Sequence, residues 1–172
     1  MEASYARFES QVAGIWERLL SEAEGPYTIV AVEPQHTAAV KLTLGFAEIP
    51  NAERSARTKI ADALSRLGTV AAGDSFTLCR RLTDGKMYYE PGVVVSRAFT
   101  PSGDVVSSQL PGGRAVKHVL IGPFDQLPKA WPALFDWGAS QGLQLEGAFW
   151  QVYGPTAANP TKQETTMYAL LA

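Results

Sequence analysis

Two short stretches carry side chains that could act on a small molecule. In Tyr88-Tyr89-Glu90-Pro91-Gly92 a carboxylate sits beside two phenols, and in Phe149-Trp150-Gln151-Val152-Tyr153 an amide stands among aromatic rings. Both read as strand, where successive side chains point to opposite faces. Tyr88 and Glu90 then share one face with Tyr89 on the other, and Gln151 and Tyr153 share one face with Trp150 and Val152 on the other. Which of Tyr88 and Tyr89 would meet a ligand stays open. A carboxylate walled by aromatics has two uses: desolvation can raise its pKa and make it a general acid or base, or it stays ionised and holds a cation. Gln151 offers a neutral donor and acceptor, and Tyr153 a ring with a hydroxyl. The bland readings are an exposed glutamate ahead of a Pro-Gly turn and a tyrosine closing a sheet edge. Glu90 is the first candidate for a reacting group; Glu164, at the start of a strand, is a lesser second.

Other chemistries find little support. Cys79 is the single cysteine and lies in Thr77-Leu78-Cys79-Arg80-Arg81, a strand pattern in which a small thiol packs as core. His36 and His118 have no ligand-type residues at metal spacing beside them, and Gly112-Gly113 is not followed by a phosphate-loop pattern. No metal and no cofactor are expected. A net charge of -2 and a pI near 5.7 lack the basic footprint that phosphate backbones require, so no direct nucleic-acid contact is expected. The chain opens without a signal peptide and holds no long apolar run, which predicts a cytoplasmic protein without a membrane span.

The elements that must position these residues follow from periodicity. Tyr5, Phe8, Val12, Ile15, Trp16, Leu19 and Leu20 recur at helical steps, predicting an amphipathic helix over residues 1–26. The rest of the chain is its expected cover, and a homodimer through it is the alternative. Strands are predicted over 28–32 and 38–44, a helix ending at Leu67-Gly68, and a hairpin around Thr83-Asp84-Gly85. Residues 105–122 then read as strand, 124–141 as helix, and 148–153 and 164–171 as strands. Strand, helix, strand, strand thus occurs twice, over 27–99 and 104–172. Pro34-Gln-His-Thr-Ala38 aligns with Pro111-Gly-Gly-Arg-Ala115 at an offset of 77 (111 minus 34). The expected fold is α+β: two tandem βαββ modules related by a pseudo-two-fold, their strands in an antiparallel sheet and their helices on one face, plus the N-terminal helix. Such a pairing leaves a concave opposite face or a cleft at the junction for a small molecule. Trp131 and Trp137, six apart on the 124–141 helix, read as core.

From Gly113 to Trp131, and again at Phe149-Trp-Gln-Val-Tyr153 and Thr165-Thr-Met-Tyr168, the chain resembles the GyrI-like family, the small-molecule-binding domains of bacterial gyrase-inhibitory and multidrug-sensing regulators. Val32-Glu-Pro-Gln-His-Thr-Ala-Ala-Val40 and Tyr88-Tyr-Glu-Pro-Gly-Val93 carry the likeness in the first copy. The resemblance implies a ligand held in the groove between two modules. It also implies that a glutamate usually stands where this chain has Gln151 and meets cationic ligands there, and that a second stands where this chain has Thr166. Glu90 matches the family's place in the first copy. Residues 1–27 leave no room for the helix-turn-helix usual in such regulators. The expected function is binding of an uncharged or weakly polar, aromatic-sized compound by Tyr88, Glu90, Trp150, Gln151, Tyr153 and Tyr168. One alternative is hydrolysis of a strained electrophile such as a cyclopropane-containing genotoxin, with Glu90 catalytic; another is a module that acts on gyrase or a transcription factor.

Overall fold

The computed structural model describes residues 27–68 and 72–172, and the helix expected over residues 1–26 lies outside them. Nine strands and two helices follow in order: β1 Thr28–Val32, β2 Gln35–Ala39, β3 Leu42–Leu44, α1 Ile49–Leu67, β4 Ala72–Arg81, β5 Met87–Val95, β6 Val106–Leu110, β7 Gly113–Ile121, α2 Leu127–Ser140, β8 Leu145–Tyr153 and β9 Glu164–Leu171. The strands form one curled antiparallel sheet in the order β1-β7-β9-β8-β4-β5-β2-β6, with β3 also paired to β5. Both helices pack on one face, so the expected α+β fold is present.

Local sequence explains the elements. Ala56, Ile60 and Ala63 recur at steps of four and three and are the buried stripe of α1. The helix stops at Gly68, whose φ of 63° is left-handed and whose N–H bonds back to Leu64 O. Each helix is entered through a 3-10 turn, Phe46–Glu48 or Phe124–Gln126, and each carries a proline in its first turn, where the missing N–H costs nothing. The Asp84-Gly85 hairpin joins β4 to β5, with Gly85 at φ 81°.

The predicted strand over residues 105–122 is broken at Pro111-Gly112, because proline cannot donate to the ladder. The break matches the one at Glu33-Pro34. Val32 pairs with Gly113 and Gln35 with Leu110, so one antiparallel register runs through both breaks. β1–β2 and β6–β7 are therefore a single bent ribbon. One half bonds to β9 and the other to β5, at opposite ends of the sheet. Bent this way, the ribbon covers the face away from the helices, where Ala39, Phe76, Leu78, Leu110, Ala115 and Trp150 form a buried cluster.

Alternation puts the residues between these on the helix face, where they form two further cores. Cys79, Tyr89, Phe149 and Met167 join Leu127 and Leu134 under α2, while Ala56, Ile60 and Ala63 pack against Ala38, Val40, Val93 and Val95. Full burial of a side chain such as Ile60 contributes about 2 kcal/mol.

Gly92 marks the tightest approach near the centre of the sheet: a Cβ there would lie 2.6 Å from Phe76 Cζ and 2.8 Å from Ala38 O. Gly92→Ala is expected to lower stability by about 2–3 kcal/mol through overpacking, read from the midpoint of denaturant unfolding.

Candidate functional site

On the helix face, a cavity of about 350 Å³ is lined by Glu53 and Arg57 of α1, Phe124 and Leu127 at the entry to α2, and Ser75, Tyr89, Gln151 and Tyr153 from the central strands. β4 and β8 are neighbours here, with Thr77 opposite Gln151 and Ser75 opposite Tyr153. Helical spacing sets Glu53 and Arg57 on one side of α1, and an ion pair of 2.6 Å joins them.

Most polar side chains of this groove belong to one connected chain. Trp131 Nε1–H donates to Gln151 Oε1 at 2.8 Å, and Gln151 Nε2–H donates to the Tyr153 hydroxyl at 2.7 Å. An indole N–H can only donate, so the amide orientation of Gln151 is determined by its partner. The Tyr153 hydroxyl lies 2.8 Å from Thr77 Oγ1, which accepts from Arg57 at 3.1 Å. Arg57 also donates to the carbonyls of Phe76 and Gly92 at 2.7 Å each and to Glu53 Oε2. Glu53 Oε1 accepts from the Tyr89 hydroxyl at 2.8 Å. Four of the five Arg57 N–H groups are thus engaged inside the protein. Its guanidinium lies 5.7 Å from the centroid of the Tyr153 ring, within cation–π range.

Titration behaviour follows from this packing. Burial, then the neighbouring Glu53 carboxylate, pushes the Tyr89 phenol far above its ordinary range. Burial also raises Tyr153, against the lowering effect of its bonds to Gln151 and Thr77. Both hydroxyls remain protonated at neutral pH and serve as hydrogen-bond partners, not as phenolate bases. The Cys79 thiol is pushed up to about 12, first by burial and then by Glu53. It is a buried core residue, as its strand context predicts.

The six residues read from the sequence do not meet in one place. Gln151 and Tyr153 line the groove. Tyr88, Glu90, Trp150 and Tyr168 lie on the opposite face of the sheet: Trp150 and Tyr168 stack at 5.2 Å and 19°, and Tyr88 donates to Glu90 Oε1 at 2.5 Å. The two tyrosines separate by face, with Tyr89 in the groove and Tyr88 beside Glu90. Trp137 stacks on Tyr27, whereas Trp131 both packs on Phe135 and Phe149 and reaches Gln151. His118 packs against Tyr27 away from the groove, and Glu164 is exposed at the start of β9. Among the described residues, no group of His, Cys, Asp or Glu is placed to hold a metal ion, and no helix is long and apolar enough to cross a membrane.

Glu53, Arg57 and Thr77 were not legible as groove residues from composition or alternation. A signal for them existed in the repeat. Phe46-Ala-Glu-Ile-Pro50 recurs as Phe124-Asp-Gln-Leu-Pro128 at an offset of 78 (124 minus 46, and 128 minus 50). Carried forward, that offset pairs Glu53 with Trp131 and Arg57 with Phe135. One helix therefore brings a charged pair where the other brings aromatic rings.

The GyrI-like small molecule binding domain family matches residues 25–171. No curated protein matches the chain in sequence. Among solved structures, the EcmrR C-terminal domain is 15% identical with a TM-score of 0.73, over 85% of this chain and 96% of that one. SAV2435 bound to tetraphenylphosphonium is 13% identical with a TM-score of 0.66, over 85% and 93%. A hydrolase encoded by lin2189 from Listeria innocua is 13% identical with a TM-score of 0.56, over 90% and 98%. At these identities the likeness is one of fold.

Two outcomes follow from the geometry. Trp131→Phe keeps a ring on Phe135 and Phe149 but leaves the Gln151 carbonyl without its donor, so a loss of about 1 kcal/mol is expected in denaturant unfolding. Adding Gln151→Met to that variant should cost less than Gln151→Met alone; additive losses would show that the two residues are not coupled. Cys79, protonated and enclosed, should resist iodoacetamide in the folded protein at about pH 8.5, where an exposed thiol is about half ionised. Mass spectrometry should show full labelling once the chain is unfolded.

Proposed function

We propose that this chain, which belongs to the GyrI-like small-molecule-binding domain family, binds an uncharged, aromatic-sized molecule in the groove between α1 and the start of α2. The observation that carries the reading is electrostatic. The groove's charged groups, Glu53 and Arg57, are paired with each other, and the polar side chain between the central strands and α2 is the neutral amide of Gln151. A ligand cation would compete with Arg57 for both the Glu53 carboxylate and the Tyr153 ring. A neutral ring meets no such competitor.

Apolar surface supplies the affinity in this reading. Phe124 stands at the cavity 50% exposed, edge-on to Tyr153 at 5.7 Å, and gains about 25 cal/mol for each Å² that a ligand covers. Tyr89 and Leu127 complete the walls. The Gln151 amide and the remaining Arg57 N–H can meet a carbonyl or other neutral acceptor on the ligand. Binding is favoured over hydrolysis because both oxygens of the groove's carboxylate are committed, one to Tyr89 and one to Arg57. Glu90, the residue that hydrolysis would call on, faces the other side of the sheet.

Tryptophan-fluorescence titration tests the charge argument with two probes of related shape. Triphenylphosphine oxide, which is neutral with a strong acceptor, should bind saturably and about tenfold or more tighter than tetraphenylphosphonium. Gln151→Glu should reverse that order by adding to the groove a carboxylate that has no cationic partner there. Equal affinities in the natural protein, or no change of order in the variant, would defeat the assignment.

A further inference from the structure

The face of the sheet away from the helices holds a separate cavity of about 360 Å³, lined among others by Lys41, Leu78, Arg80, Tyr88, Glu90 and Leu110. Glu90 is only 4% exposed. Its single described hydrogen bond is the one Oε1 accepts from Tyr88, and Oε2 has none, yet that oxygen is not sealed away from the cavity. Removing a carboxylate from water is costly unless hydrogen bonds or a cation replace the lost solvation, and one phenol replaces little of it.

Cations stand near without closing on it. Arg80 is the cross-strand partner of Tyr88, and Lys41 lies across from Glu90, between the Leu42–Tyr89 pair and the bond from Val40 N to Pro91 O. Cross-strand neighbours have Cβ atoms about 5 Å apart. Neither Lys41 nor Arg80 forms an ion pair among the described residues, and both are exposed. The cavity therefore presents an under-satisfied carboxylate at its floor, two unpaired cations at its rim and apolar walls from Leu78 and Leu110.

We propose that this cavity is a second binding site, for a small zwitterion of the amino-acid type with an apolar side group. The ammonium meets Glu90 Oε2, the carboxylate meets Arg80 and Lys41, and the side group lies against Leu78 and Leu110. Each half of the charge pattern excludes one simpler ligand: the rim repels a plain amine, and Glu90 repels a plain carboxylate. The site is independent of the groove assignment, since the two lie on opposite faces of the sheet.

Isothermal titration calorimetry with L-phenylalanine, phenethylamine and 3-phenylpropionate separates the contributions. L-Phenylalanine should bind one to one, with the other two weaker by about tenfold or more. Glu90→Gln, which keeps a partner for Tyr88, should abolish the L-phenylalanine heat, whereas Gln151→Glu in the groove should leave it unchanged. Arg80→Gln, a rim change that the fold does not rely on, should weaken L-phenylalanine and strengthen phenethylamine. No saturable heat with L-phenylalanine, equal binding of all three compounds, or a loss that follows Gln151→Glu instead of Glu90→Gln would overturn the proposal.

Discussion

A chain of hydrogen bonds crosses the centre of this sheet, from Trp131 on one helix through Gln151, Tyr153 and Thr77 to Arg57, Glu53 and Tyr89. Its ends differ in kind. Trp131 can only donate, which forces a carbonyl toward it, and Arg57 can only donate, which forces acceptors around it. Between them, Tyr153 and Thr77 hold hydroxyls that can give and accept. The arrangement lets the groove keep polar atoms half-buried without leaving them unpaired, which is the condition for having a polar binding surface inside a folded domain. The Glu53–Arg57 pair is partly exposed and adds about 0–1 kcal/mol at most. Its consequence lies in charge: it makes the groove neutral as a whole.

Strand alternation alone sets apart the two faces of the sheet. Residues one apart on β5 and β8 separate a groove beside the helices from a cavity under the ribbon. Gln151 lies on the helix face and Trp150 on the far face; Tyr89 lines the groove and Tyr88 the cavity. A substitution's effect therefore depends on parity as much as on distance along the chain. The bent ribbon gives the second face its enclosure. Bent at Pro34 and Pro111, it contributes Ala39, Leu110 and Ala115 to the cluster that buries Leu78 and Trp150.

Much of the fold was legible because it rests on local rules. Asp84-Gly85 dictates a hairpin, Gly68 a helix stop, and the step-of-four apolar stripe of Ala56 and Ile60 a helix packed on one side. The tandem repeat was visible in Pro34 and Pro111. Alternation correctly separated Tyr88 from Tyr89 and Gln151 from Trp150. What alternation could not supply was which faces of which strands meet across the sheet, because that depends on sheet order and helix placement. Glu53 and Arg57 were hidden for a related reason: charged residues at helical spacing are most often a solvated face. Only the packing of α1 over Phe76 and Gly92 turns Arg57 inward.

In the proposed function, the neutral groove around Gln151, and not the far face, receives an uncharged aromatic ligand. The indole N–H signals of Trp131 and Trp150 report the two faces separately in one nitrogen–proton correlation spectrum. On titration with triphenylphosphine oxide, the Trp131 signal should move saturably as the ligand enters beside Gln151, while the Trp150 signal stays in place. Movement of Trp150 with Trp131 unchanged, or a spectrum indifferent to the compound, would contradict the account.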